Sequence, residues 1–349
     1  MNSAAAQRDP RQASVLVWLP PWLQLRRDLA PGHPLHRMVC QADVRRFDAT
    51  GHARIVRHFD ILPRGLPIAA LTRQLDAHDA PGQGWLRADP AHVRPDMASA
   101  RLVACGDDLH LGADEADALL KPLKPLFGDA GFPISAPSGA PSRWYLALPS
   151  DARVPDFSEP DAVFGDDLLA HLPDGALGQR WRALLNEAQV ILHNHPVNAM
   201  RVRAGKLPVN SLWFWGAGRL PDSVASPLTD VVSDDPLILA LAQQAGIACQ
   251  RLHTSVAAAM RPDSASVRAE EAWDRSLLTA LGVPQGQCIM LDLRLARTLS
   301  EADDLGLRAA VQAIASGRFS ACDLECADGL WLHWRKAHRW RFWRSRLPA

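Results

Sequence analysis

The chain has 349 residues, and its 38 basic and 38 acidic side chains cancel, so no overall charge draws it to nucleic acid or membrane. Hydrophobic residues make up 48% and charged residues 22%, which excludes wholesale disorder and fits a large core. The six cysteines are scattered without a CxxC pair, which argues against a zinc site or a disulfide framework and favours a reducing compartment.

The N-terminal part predicts a polar tail followed by a buried strand. Residues 1–13 predict a disordered tail, and the apolar run Ser14–Pro20 predicts the first strand. That run is too short and too rich in proline for a signal peptide or a membrane span. We therefore expect a cytoplasmic protein without a membrane span.

Strands and helices alternate through the rest of the chain. Residues 85–106 predict two strands joined by a polar loop, 112–131 a helix broken at its prolines, 143–149 a strand, and 150–175 a linker or a lid. The clearest amphipathic helix covers 176–192, and helices at 235–245 and 300–317 flank a buried strand at 286–295. Residues 319–335 predict a hairpin that turns at Asp328 and Gly329. This order predicts one α/β domain over residues 14–337, with a mainly parallel sheet and a C-terminal antiparallel hairpin.

The segment His193–Gly218, HNHPVNAMRVRAGKLPVNSLWFWGAG, is the densest in polar and aromatic residues. It predicts a short helix capped by Asn194 and ended by Gly205. At helical spacing His195, Asn198 and Arg201 share one face, whereas Val197, Met200 and Ala204 share a second face that is expected to pack on the core. The polar trio at a helix N-terminus predicts an anion site.

The strand that follows predicts a second wall for this site. It contains Asn210 and ends in Gly216-x-Gly218, and open α/β sheets place ligands at such turns. The alternative interpretation is a tight turn with core tryptophans and Arg201 as a surface cation.

The segment RADPAHVRPD supplies Arg87, Asp89, His92, Arg94 and Asp96. Three interpretations stay open for this proline-rich stretch: a metal site formed by its acids and histidine, a polar loop that faces a substrate, or turn capping with local ion pairs. Asp234 and Asp235 before a proline predict a helix N-cap rather than catalytic carboxylates.

The C-terminal stretch Trp331–Arg346 contains six Lys or Arg, four Trp and no acid, and residues 338–349 are expected to form a basic tail. Such a composition binds single-stranded nucleic acid or an anionic membrane surface. Because the whole chain is neutral, we favour the alternative in which Leu330, Leu332 and Trp334 pack inward and the arginines stay solvated or pair with acids.

Two family resemblances follow from these motifs. The blocks His195–Asn198, Arg201, Gly205, Pro208–Asn210 and Trp215–Gly218 resemble archaeal-type, cofactor-independent phosphoglycerate mutases over roughly residues 184–247. Together with GWLRADPAHVRPD and the Trp/Arg-rich end, they also resemble a bacterial regulatory protein family, type E of a regulation-of-pathogenicity-factors cluster. Both resemblances imply an alkaline-phosphatase-like α/β fold, and the second implies a regulatory role.

The mutase resemblance fails where the family holds its metals. The resemblance implies a metal-binding Asp-Gly after the first strand, where this chain has Leu19, Pro20 and Pro21. It implies an Asp-x-x-Gly-His motif after a late strand, where Asp292 has no Gly-His, and a Ser-Gly-His nucleophile segment that residues 55–75 lack. Because such chemistry depends on its metal ligands, the sequence predicts a mutase-like protein with a degenerate metal centre.

The leading hypothesis is a pseudoenzyme without a cofactor that binds a small phosphorylated or carboxylated metabolite and acts in regulation. Its binding residues are Arg201 and His195 on the anion, Asn198 and Asn210 as orienting groups, Gly216 and Gly218 at close backbone approach, and Arg87, Asp89 and His92 as the facing wall. The alternatives are an active mutase or phosphatase that uses Mn or Zn, and a nucleic-acid-binding regulator acting through residues 331–346. The ligand, the regulatory partner and the oligomeric state stay open.

Overall fold

The computed structural model describes residues 13–47, 52–96, 99–252 and 287–348, so the predicted tail over residues 1–13 lies outside it except for Ala13. The chain divides into two compact units. Unit 1 comprises residues 1–61 and 223–349, and unit 2 comprises residues 62–222. The single domain expected over residues 14–337 stays a prediction.

The described elements alternate as the sequence predicts. The strands are β1 (Ser14–Leu19), β2 (Asp43–Arg46), β3 (Asp60–Leu62), β4 (Gly84–Pro95), β5 (Ala100–Cys105), β6 (Ile134–Ser135), β7 (Tyr145–Leu148), β8 (Ser211–Arg219), β9 (Ser223–Ala225), β10 (Asp230–Val232), β11 (Ala248–Gln250), β12 (Cys288–Asp292), β13 (Ala321–Cys326) and β14 (Leu330–Arg335). The α-helices are α1 (Trp22–Arg26), α2 (Pro34–Gln41), α3 (Ile55–His58), α4 (Ile68–Ala77), α5 (Ala113–Asp129), α6 (Pro160–Val163), α7 (Gly175–His193), α8 (Pro196–Arg203), α9 (Pro236–Gln244), α10 (Leu299–Asp304) and α11 (Leu307–Ala315).

Unit 1 is built on a seven-stranded, mostly parallel sheet in the order β11-β10-β12-β1-β13-β14-β2. Strands β11, β10, β12, β1 and β13 run parallel, whereas β14 is antiparallel to both of its neighbours, β13 and β2. The mainly parallel sheet is therefore confirmed, as is the C-terminal hairpin β13–β14, with Gly329 at φ +82° in its turn. Strand β1 lies at the centre of the sheet and is buried along its whole length.

The helix predicted over residues 300–317 is two helices in unit 1. Gly306 at φ +123° separates α10 from α11, a conformation that a side chain rarely adopts. Thr298, whose side chain accepts from Glu301 N, caps the first helix. The predicted C-terminal glycine is confirmed, because Gly317 follows α11 at φ +86°.

Unit 2 is built on an antiparallel sheet in the order β5-β4-β7-β6, with β8 also paired to β4. The predicted polar loop after Trp85 begins too early, because β4 continues to Pro95. The connection to β5 begins only after Pro95. Pro90 is opposite Leu212 of β8, and its missing N–H is tolerated because pairing with neighbouring strands holds the residues around it.

The helices of unit 2 follow their apolar periodicity. Helix α7 confirms the amphipathic helix predicted over 176–192. The predicted break in α5 is wrong, because the helix continues through Pro122 and Pro125. Buried Leu119, Leu123 and Phe127 on α5 hold it in place, so packing outweighs the lost backbone hydrogen bonds.

The acidic, proline-rich segment 150–175 contains α6 and a 3₁₀ helix (Leu168–His171). Val163 and Leu168 are buried in a cluster with Trp213. Across both units, the described helices are all too short or too polar to cross a membrane.

Candidate functional site

Helix α8 carries three of the residues predicted to bind an anion. His195 caps the helix, because its Nδ1 accepts from Val197 N at 3.3 Å. The predicted cap Asn194 instead donates from Nδ2 to Val190 O at 3.1 Å, at the end of α7. The helix ends as predicted before Gly205, which adopts φ +72°.

The faces of α8 are partly the reverse of the prediction. Arg201 and Asn198 are buried at 1% and 6% exposure, whereas Met200 on the predicted packing face is 59% exposed. Val197 is buried as predicted. The spacing identified the two faces but assigned burial by polarity, and here the hydrogen bonds of the polar face make its burial favourable.

Arg201 joins three segments of unit 2. Its Nε donates to Leu207 O at 2.9 Å, and its two terminal nitrogens donate to Glu115 at 2.7 Å and to Leu109 O at 2.6 Å. Glu115 also accepts from Gly112 N at 3.1 Å, at the start of α5. Arg201 therefore links the first turn of α5 to Leu109, which precedes that helix, and to Leu207, which follows α8.

The two asparagines of the motif bind backbone groups. Asn198 Nδ2 donates to Leu192 O and Val209 O, both at 2.7 Å, and its Oδ1 accepts from Val209 N at 2.8 Å. The side chain of Asn210 accepts from Val93 N through Oδ1 and donates to Val93 O through Nδ2, both at 2.8 Å. These two bonds imitate the pairing that the backbone of a neighbouring strand would give Val93. The Pro-x-Asn segment is thereby fixed at the entrance to β8.

Arg87 and Asp89 form a buried ion pair on β4. The guanidinium meets the carboxylate at 2.9 and 2.8 Å, and the two residues are 5% and 2% exposed. Asp89 also accepts from Trp215 Nε1 at 2.7 Å and Trp144 N at 3.3 Å. Burial raises the pKa of Asp89, and these four donors oppose that effect.

The two predicted ligand-facing glycines lie inside β8 rather than in a turn after it. Gly216 has φ +67°, and a methyl group there would lie 3.0 Å from Ile68 Cβ. A methyl group at Gly218 would overlap Pro67 Cβ and lie 3.0 Å from its Cα. Both glycines therefore allow the first turn of α4 to approach β8.

The structure thus places the predicted site residues in several separate groups rather than in one site. His92 pairs through Nδ1 with Pro208 O at 2.9 Å, beside the Asn210 interaction. The acceptors of Arg201 are Leu207 O, Glu115 and Leu109 O, whereas Arg87 binds Asp89 and Thr72. Each of the polar side chains among these residues has at least one internal hydrogen bond, and their role in anion binding stays a prediction.

A second group of charged side chains, in unit 1, lies at the carboxyl ends of four neighbouring parallel strands. Ser233 follows β10, Asp292 ends β12, Trp18 lies near the end of β1, and Glu325 lies near the end of β13. Trp18 is opposite both Asp292 and Glu325 in the sheet register. Open α/β sheets bind ligands at this edge.

Asp292 is fully engaged at this edge. It binds Arg294 at 2.8 and 2.7 Å and accepts from Ser233 Oγ at 2.8 Å. Burial favours a higher pKa for Asp292, but the hydrogen bonds and charge of Arg294 outweigh it and lower the pKa. Arg294 also binds Asp235 at 2.8 Å, and Asp235 caps α9 as predicted by accepting from Leu237 N.

Glu325 is paired in the same way on the other side of Trp18. It meets His58 Nε2 at 2.9 Å and Arg57 at 3.2 Å, and its side chain is only 6% exposed. Burial again favours a higher pKa for Glu325, but the hydrogen bond from His58 and the nearby positive charges lower it. Both buried carboxylates of this edge are therefore ionised and already paired.

Arg54 is the exception among these charges. It is 9% exposed, and within the described residues its guanidinium makes one hydrogen bond, to Cys326 O, and no ion pair. Burial and the neighbouring charge of Arg294 lower the pKa of Arg54. The guanidinium carbons of Arg54 and Arg294 lie 5.3 and 4.6 Å from the ring centre of buried Trp18. We call Arg54, Arg57, Arg294 and Trp18 the arginine edge.

Sequence reasoning missed Arg54 because it lies in no motif. The only signal is the clustering of Arg54, Arg57 and His58 within five residues. Their convergence with Glu325 spans more than 260 residues of chain and is not visible in local spacing.

The donors of the arginine edge do not fit a divalent metal centre. Where the mutase resemblance implies an aspartate after β1, the chain has Leu19 and Pro20, and its two buried carboxylates are bound to arginines. The Asp89, His92 and Asp96 alternative is not assembled either, because each has a different partner. Among the described residues, no cluster of three or more His, Cys, Asp or Glu side chains has metal-binding geometry.

Comparisons with known proteins relate part of the chain to one enzyme family. No protein-family model matches. The probable 2,3-bisphosphoglycerate-independent phosphoglycerate mutase of Geobacter sulfurreducens is 42% identical over 62 residues, which cover 18% of this chain and 16% of that protein. The Methanosarcina barkeri phosphoglycerate mutase is 29% identical over 113 residues, 32% of this chain and 28% of that one.

A solved structure gives a weaker likeness over more of the chain. The cofactor-independent phosphoglycerate mutase from Thermoplasma acidophilum aligns with 93% of this chain and 90% of its own, at 18% identity and a TM-score of 0.41. That score is too low to support an argument. The sequence matches span less than a third of the length of the curated mutases cited above. Over part of its sequence, the chain is homologous to cofactor-independent phosphoglycerate mutases.

Proposed function

We propose that this chain is a phosphoglycerate-mutase-like protein that binds a small phosphorylated or carboxylated anion at the arginine edge. It acts by binding, in a regulatory role, without metal-dependent turnover. The observation that carries the proposal is Arg54, a buried cation that forms no ion pair within the described residues, at the carboxyl edge of a parallel sheet. An alkaline-phosphatase-like fold for the whole chain is part of the same proposal.

An anion at Arg54 would remove an electrostatic penalty. A buried charge without a counter-charge is costly, and a phosphate or carboxylate oxygen supplies both the charge and the hydrogen-bond acceptors that the guanidinium lacks. Arg57 and Arg294 have side chains 28% and 26% exposed, so their outer N–H groups are accessible to the same ligand. The indole of Trp18 provides an apolar floor, which strengthens these interactions.

The sequence-based location for the anion, at Arg201 and His195, is the competing proposal. We favour Arg54 because the Arg201 guanidinium already has three acceptors within unit 2. In this proposal the motif around α8 maintains the structure of unit 2, and binding belongs to unit 1.

Calorimetric titration with 3-phosphoglycerate and with inorganic phosphate tests the proposal, with glycerol as the uncharged reference. Arg54→Met should weaken binding by roughly 10-fold to 100-fold, because a hydrogen bond to a charged group contributes about 1.5–3 kcal/mol. The matched control is Arg318→Met, an exposed arginine of the same unit, which should bind as the wild type does. Without ligand, Arg54→Met should melt at the same temperature or higher, since it removes an unpaired buried charge.

Three outcomes would contradict the proposal. Wild-type protein that binds neither anion removes the binding function, and unchanged binding by Arg54→Met removes the location. Stoichiometric Mn or Zn in the purified protein together with mutase turnover would establish the active-enzyme alternative.

A further inference from the structure

The C-terminal segment of unit 1 is anchored to the surface by its polar groups. Arg341 binds Asp43 at 2.6 Å and Gln41 O at 3.1 Å. Arg344 donates to Ala42 O at 2.9 Å, and Pro348 O accepts from Trp22 Nε1 at 3.1 Å. Leu330, Leu332 and Trp334 before it are buried as predicted. The segment is therefore a fixed part of the unit.

The aromatic side chains of this segment face outward instead. Trp340, Phe342 and Trp343 are 66%, 80% and 67% exposed. The sequence favoured arginines that stay solvated or pair with acids, and Arg341 and Arg344 do pair with Asp43, whereas the large rings turn toward solvent. Three large aromatic side chains exposed within four residues of an anchored segment indicate a contact surface rather than scattered surface apolar residues.

The charge around these rings is positive. Residues 331–346 contain six Lys or Arg and no acid, and strand β2 beside β14 adds exposed Arg45. Asp43 is the carboxylate that the segment's arginines bind. On a chain with no net charge, this local excess identifies an anionic partner.

We propose that residues 336–346, the aromatic–basic segment, bind an anionic lipid surface. The three rings enter the interfacial region, and the exposed Lys336, Arg339 and Arg346 meet the lipid phosphates. This inference is independent of the anion site at Arg54, which lies on other residues.

Ring geometry favours a lipid surface over single-stranded nucleic acid. Phe342 and Trp343 are nearly perpendicular, with an interplanar angle of 82° and centroids 5.3 Å apart. The Arg339 guanidinium lies 4.9 Å from the centre of the Trp340 ring and covers one of its faces. Successive bases stack on open ring faces, which this arrangement does not offer, whereas insertion into a lipid interface requires only that the rings leave water.

Vesicle co-sedimentation of the full chain tests the inference. Vesicles of phosphatidylglycerol and phosphatidylcholine in equal parts should sediment the protein, and phosphatidylcholine alone should not. The triple variant Trp340→Ser, Phe342→Ser, Trp343→Ser should lose at least about tenfold in partitioning, because interfacial binding scales with buried apolar area. The control is Leu295→Ser, a 70% exposed apolar residue of the same unit, which should sediment as the wild type does.

The same proteins distinguish the alternatives. High salt should weaken vesicle binding, because the lipid phosphates supply part of the attraction. No sedimentation with the anionic vesicles at low salt, or equal sedimentation of the triple variant, overturns the proposal. Tight binding of a single-stranded oligonucleotide that the triple variant loses, without vesicle binding, would assign the segment to nucleic acid instead.

Discussion

Replacing Arg201 by methionine separates a structural role from a binding role. Methionine keeps most of the buried volume but removes the donors to Leu109 O, Leu207 O and Glu115. Leu109 is 2% exposed, so its carbonyl loses its partner out of reach of water, which costs about 1–3 kcal/mol. Leu207 is 41% exposed and the Glu115 side chain 25%, so water can replace their bonds, and they add about 1–2 kcal/mol. We expect unit 2 to lose about 2–5 kcal/mol of stability.

The assay is hydrogen exchange of residues 196–210 together with urea unfolding, because exchange localises the effect to unit 2. The control is Arg203→Met, an exposed arginine on the same helix, which should leave both readouts unchanged. Exchange rates and an unfolding midpoint equal to those of the control would refute the structural reasoning. A selective loss of 3-phosphoglycerate binding with stability intact would restore the sequence-based anion site.

Two further predictions concern stability. Gly218→Ala should lower the free energy of unfolding in urea by about 1–3 kcal/mol, because the new methyl group overlaps Pro67. The control Gly128→Ala, in open space on α5, should raise it by about 0.5–1 kcal/mol, and equal effects of the two variants would contradict this reasoning. The pKa of Asp292 is lower in the folded state than in the unfolded state. The ionised carboxylate therefore stabilises the fold above the unfolded pKa of about 3.9, and this stabilisation is lost as pH falls through the folded pKa. Asp292→Asn should therefore melt lower at neutral pH and lose less on acidification below about pH 4 than the wild type, and parallel melting curves would argue against the Arg294 pairing.

Local periodicity predicted the elements but not their surroundings. The apolar stripe of α7 and the caps at Asp235 and Gly317 follow from neighbours a few residues apart, and the structure confirms them. The burial of Arg201 and Asn198 depends on hydrogen-bond partners from other segments, so polarity alone predicted the wrong exposure for them. Strand β4 was predicted too short for a related reason, since Pro90 is held there by pairing with a strand 120 residues away.

The arginine edge shows most clearly which features local sequence could not predict. The sequence indicated which mutase-like metal ligands are missing, because those belong to recognisable motifs. It did not indicate the arginine edge, since Arg54, Asp292 and Glu325 meet only when β1, β12 and β13 are placed side by side. A ligand-binding role for such residues becomes visible only from burial and from the balance of charges around each group.

The position of Trp18 in β1 determines which substitutions would turn the arginine edge into a cluster of acids. Trp18 separates Asp292 from Glu325, and each carboxylate has its own arginine. Changing Trp18 to a carboxylate would add a third acid, but Arg294 and Arg57 would still occupy the other two. Removing either arginine first would leave a buried carboxylate with less compensation, at a cost of up to about 3–5 kcal/mol. Converting this edge into a cluster of three free acids would thus require several coordinated substitutions.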